Sequence, residues 1–162
     1  MSFPYTRLRV VPCQLLLGSC MALWASSSQA ALDGTVASIE ADRARFHAVV
    51  PNRVSQAAYS VHTLTLTNNT QVHEYLGTSG KVFAVTWQGR SIPDLRQLLG
   101  VHYVTFSSSG ARHRNGLGHL VVQDNAQHPN LVVESHGRQP GFHGRAYLLQ
   151  SLPAGVSLAD IR

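Results

Sequence analysis

Past residue 30 this chain of 162 residues contains no cysteine, a single lysine (Lys81) and only eight acidic residues. Each shortage removes a class of protein. Without cysteine there is neither a disulfide framework nor a thiolate zinc site, so stability has to come from burial. With one lysine and no run of like charge, there is no basic stripe for nucleic acid and no polybasic patch for a membrane surface. No stretch after residue 30 approaches the roughly 20 apolar residues of a membrane-spanning helix. Reaction motifs are missing too: there is no HExxH, no His-x-His, no GxSxG and no nucleotide-binding loop.

The segment before residue 31 is of another kind. Arg7 and Arg9 precede an apolar run from Val10 to Trp24, and Ser28-Gln29-Ala30 ends it with small residues. That is the pattern of an export signal cut after Ala30, so residues 1–30 are expected to be a signal peptide and 31–162 one mature domain. Two rival readings of the same segment are an uncut anchor and a lipoprotein lipidated at Cys20, which follows Leu17-Gly18-Ser19. Against lipidation, Met21 to Trp24 carry the apolar run past that cysteine. Cys13, Cys20, Arg7 and Arg9 all leave with the signal. Eleven cations then face eight acids, a net charge of about +3 with all nine histidines neutral.

The mature part mixes helix and strand signals. Residues 38–50, SIEADRARFHAVV, predict a helix capped by Ser38, with Glu40 and Asp42 in its first turn and Pro51 as its stop. Its apolar stripe (Ile39, Phe46, Val49, Val50) is interrupted by Asp42 and Arg43. YSVHTLTLT, TQVHEYL and KVFAVTW, separated by Asn68-Asn69 and Gly77-Thr78-Ser79-Gly80, predict a three-stranded meander. A two-residue turn at Asn68-Asn69 pairs Leu64 with His73 and His62 with Tyr75. Phe83, Val85 and Trp87 then share a face with Val72 and Leu76, and His62 and His73 lie on the other face. SIPDLRQLLG predicts a helix over 92–99, capped by Ser91 with Asp94 reaching back and stopped by Gly100. Too short to persist alone, it must dock by Ile92, Leu95, Leu98 and Leu99. VHYVTF reads as a further strand, HLVVQ and NLVVES as an antiparallel pair, GRAYLLQ as the last strand, and Ser157 as the cap of a final turn. The expected fold class is α+β, a single domain with two short helices packed on a mainly antiparallel sheet.

Several blocks resemble a known family. ASIEADRARF, VHEYLGTSGKVFAVTWQGRSIPDLRQLLG, LVVESHGR and GRAYLLQSLPAGVSLADI occur in this order and are similar to domain-of-unknown-function family 2844, short exported proteobacterial proteins. The resemblance implies an exported protein of bacteria with an outer membrane. It brings no catalytic residue with it, because the family has no established activity.

Weighing the chemistry residue by residue leaves few candidates. His62 and His73, able to meet diagonally across the first hairpin, are the candidate metal ligands, though surface or hydrogen-bonded histidines are the default expectation. Trp87 followed by Arg90 is a candidate aromatic-and-arginine edge for a partner, although its alternation with Val85 favours a core position. Arg112 and Arg114, in a glycine-flanked loop, are candidates for holding an anionic partner. Arg145 and Tyr147 alternate on one strand and are expected to share a face. No catalytic residue and no cofactor are assigned. The expected function is a non-catalytic periplasmic or secreted accessory module that binds an envelope protein or an anionic envelope component. A small envelope hydrolase and a histidine-based metal-binding protein are the alternatives.

Overall fold

The computed structural model describes residues 31–108, 131–138 and 141–162. Helix α1 (Val36–Arg45) leads into an antiparallel run of β1 (Val49–Ser55), β2 (Tyr59–Thr65), β3 (Gln71–Gly77) and β4 (Val82–Gly89). Two short helices follow, α2 (Leu95–Leu99) and α3 (Tyr103–Ser108), and then the hairpin β5 (Leu131–Arg138) and β6 (Gly141–Leu148). The six strands form one sheet in the order β1-β2-β3-β4-β6-β5, every neighbour antiparallel. The fold is α+β, as the mixed sequence signals imply.

One face of the sheet packs on the helices. Leu64, Val72, Leu76, Val82, Val85, Trp87, Leu131, Val133, Ala146 and Leu148 meet Ile39 of α1 and Leu98 and Leu99 of α2. Ile92 and Leu95 close over this core from the side, so SIPDLRQLLG is the docked plug its leucine spacing implies. The second face carries Tyr75, Phe83, Ala84, Val132 and Tyr147, covered by Leu152, Val156 and Ile161 of the C-terminal segment.

Several expectations are corrected. Helix α1 starts at Val36 with Thr35 as N-cap and ends at Arg45, where His47 takes a positive φ of 48° and redirects the chain. Ser38, Ile39 and Asp42 are therefore its buried face, and Asp42 is not a first-turn acid. Residues 49–55 are a strand, and Pro51 falls in the register irregularity between Val49 and Asn52, at an edge where its missing N–H interrupts no central ladder. The plug helix begins at Leu95 because Asp94 itself caps it, accepting from the N–H groups of Arg96 and Gln97. Ser91 instead accepts a hydrogen bond from Asn68 Nδ2. VHYVTF is helical from Tyr103 on, because its aromatic residues Tyr103 and Phe106 pack on the helix-side core. HLVVQ, Arg112 and Arg114 lie outside the described residues.

The first hairpin turn spans three residues, with Asn69 left-handed at φ 62° and Leu66 N–H bonded to the Thr70 carbonyl. Register slips by one, so Leu64 faces Val72 and His62 faces Glu74. A second irregularity, between Tyr75 and Leu76, moves Phe83 off the Val85–Trp87 face and beside Tyr75, their ring centroids 6.1 Å apart.

Candidate functional site

Strand order assembles a polar site on the second face. Pairing places His73, Thr86, Arg145 and Glu134 in one row across β3, β4, β6 and β5, and Gln71, Gln88, His143 and His136 in the next. Cross-strand partners point to the same side, so these eight side chains share a surface. The C-terminal segment covers the apolar row beside them, and a groove of about 560 Å³ lies over the two polar rows, with Ile161 and Arg162 at its edge.

Hydrogen bonds fix one end of the groove. Glu134 Oε2 accepts from Arg145 Nε at 2.6 Å, and Glu134 Oε1 from the Tyr147 hydroxyl at 3.4 Å. Arg145 Nη1 also donates to the Leu158 carbonyl at 2.8 Å, which ties the covering segment to the sheet. Planar guanidinium geometry makes such multiple bonding possible for arginine. Burial and the Glu134 charge hold the Tyr147 hydroxyl above its ordinary pKa. The rings of His136 and His143 stack 5.5 Å apart. Burial depresses the His73 pKa, which keeps that imidazole neutral at physiological pH, with one nitrogen able to accept and the other to donate. The groove therefore offers imidazole, amide, hydroxyl and guanidinium groups to a polar ligand. Among the described residues the one carboxylate side chain lining it, Glu134, is already engaged by Arg145.

The other candidates fall differently. His62 lies on the helix side, buried, with Nε2 3.3 Å from Ser60 Oγ, whereas His73 lies on the opposite face. The one-residue slip of the hairpin separates them, so they do not form a metal pair. Among the described residues no group of three or more His, Cys, Asp or Glu is placed to hold a metal ion. Trp87 is 1% exposed and packs in the helix-side core, also lining the groove, while Arg90 is exposed. Arg145 and Tyr147 do share a face, the guanidinium 5.6 Å from the ring centroid.

Sequence reasoning missed a second titratable cluster. Asp42 of α1 and Glu74 of β3 are both fully buried, their carboxyl groups against each other. Gln97 of α2 donates to Asp42 Oδ1, and the backbone N–H of Ala31 also donates to the Asp42 carboxyl. Asp42 Oδ2 and both oxygens of Glu74 have no donor among the described residues. Burial pushes Asp42 up to about 6, and burial together with the Asp42 charge raises Glu74 well above its ordinary value. Two carboxyl groups in this position hold a proton between them. The only sequence sign was an acid interrupting the apolar stripe of α1.

The family model described as "Protein of unknown function (DUF2844)" matches residues 28–161, and the chain belongs to that family. No curated protein and no solved structure matches it. Among the described residues no helix is long and apolar enough to cross a membrane.

Proposed function

We propose that this is an exported, non-catalytic binding module of the bacterial envelope, periplasmic or secreted, cut after Ala30 and taking an anionic envelope component in the groove of the second sheet face. The observation that carries the reading is the pair of polar rows, with Arg145 held rigid at one end by Glu134 and Arg162 at the rim. A rigid guanidinium among neutral donors binds carboxylate or phosphate groups without a steep cost in side-chain ordering. The Arg7–Ala30 pattern supports export.

The test is a titration of the processed protein with an acidic oligosaccharide and with phospholipid headgroups, followed by the imidazole resonances of His73, His136 and His143. Saturable shifts in these three, weakened by salt and lost in Gln88→Ala with His143→Ala, are expected. Resonances that stay in place with every anionic probe would remove the groove from the account. Turnover of a probe would replace the binding module by the hydrolase reading.

A further inference from the structure

Residues 31–34 are held like a peg between α2 and β4. Leu32 N–H donates to the Leu98 carbonyl at 3.0 Å, Asp33 N–H to Val82 at 2.8 Å, and Val82 N–H to Gly34 at 2.9 Å. Lys81 Nζ adds a bond to the Asp33 carbonyl at 2.8 Å. Ala31 is 0% exposed and Leu32 2%, unusual burial for residues next to a segment expected to be discarded. The Ala31 nitrogen is thereby fixed against Asp42, whose carboxyl lies against that of Glu74.

We infer that the Asp42–Glu74 pair is a binding site for a primary ammonium group, and that its occupant is the chain's own α-amino group at Ala31. The inference rests on the cut after Ala30 set out above. In the uncut chain this nitrogen is an uncharged amide with one hydrogen. A signal peptidase adds water across the Ala30–Ala31 bond: the hydroxyl joins the Ala30 carbonyl carbon, the C–N bond breaks, and the nitrogen takes the proton. The released amine then protonates at neutral pH, giving three donors and one positive charge. The ammonium carries two more donors than the amide into a cluster of oxygens short of them, and its one charge meets a carboxyl pair that carries a single negative charge when it shares one proton. Buried charge is tolerated when paired and hydrogen-bonded, which is the state the cut creates.

The groups facing the pair from each element are few. Arg45 of α1 acts on Asp42 through its charge, Gln97 of α2 by a hydrogen bond, and His62 of β2 stands opposite Glu74. Burial, with the Arg53 charge, keeps His62 toward its neutral form, so it is no substitute cation.

The experiment uses the processed protein recovered after export. Its N-terminus is read by mass, and the Ala31 α-amine is titrated by nitrogen NMR. A titration at least one unit above the ordinary ~7.7–8.0 is expected, falling back in Glu74→Gln or Asp42→Asn. A companion chain with one glycine inserted between Ala30 and Ala31 is expected to melt lower at about pH 7, the gap closing near pH 4 where both carboxyls are protonated. A mature chain that begins elsewhere overturns both the processing and the pairing. One that begins at Ala31, with an ordinary α-amine pKa and no difference from the glycine form, overturns the pairing alone.

Discussion

Gly144 on β6 stands directly across from Trp87 on β4, and the indole occupies the space a side chain at 144 would need. A Cβ there would overlap both the ring and the Glu134 carbonyl oxygen. Gly144→Ala is therefore expected to lose about 2 kcal/mol or more and to shift the tryptophan fluorescence. Gly141→Ala, with open space around it, is the control and should stay within about 0.5 kcal/mol. Equal urea midpoints for the two would contradict the close approach.

Leu98 is completely buried in the helix-side core, whereas Val101, three residues on, is 63% exposed. Leu98→Ala should cost about 2–5 kcal/mol, and Val101→Ala close to nothing. Chemical denaturation checks both, and a stable Leu98→Ala would mean that the plug does not hold the core.

The Asp42–Glu74 pair makes stability fall as pH rises in any chain whose Ala31 nitrogen remains an amide. Both folded pKa values are raised, so the folded state keeps protons that the unfolded state has already released. The contribution is complete below about pH 4 and is lost as pH climbs through about 6 and beyond. Urea unfolding of the glycine-inserted chain at several pH values should show this slope, and Glu74→Gln should flatten it.

Tyr75 pins the C-terminal segment with a reciprocal pair: its hydroxyl donates to the Arg162 carbonyl at 2.6 Å and accepts from the Arg162 N–H at 3.0 Å. Tyr75→Phe removes both and should cost about 1–2 kcal/mol. Hydrogen exchange at Arg162 should quicken while exchange in α2 is unchanged. An unaltered Arg162 rate would show that Ile161 alone seats the segment.

The meander and the plug were legible because their signals are local. Runs of β-branched residues stand between turn formers, and Pro93-Asp94 starts a leucine-faced helix. What escaped depends on distant partners. The groove exists only because β6 inserts between β4 and β5, bringing Arg145 beside Thr86, and nothing near either residue encodes that neighbour. VHYVTF has strand propensity, yet Tyr103 and Phe106 pack as a helix; packing overrode preference. The histidine pair failed on a single residue of turn length, since Asn69 tolerates the left-handed conformation that lengthens the loop. Asp42 reads as a dipole partner only with Ser38 as the cap, three residues beyond the actual cap Thr35.

Strand order also sets a timetable. β1 to β4 pair with their immediate neighbours in sequence, and so do β5 and β6, whereas the β4–β6 ladder joins Gly89 to Phe142 and Ala84 to Tyr147. Closing that long stretch of chain carries the largest entropic cost, so the two local sub-sheets are expected to form first and their docking to limit the rate. The polar groove straddles that seam, and in this order of events it is the last part of the molecule to come into being.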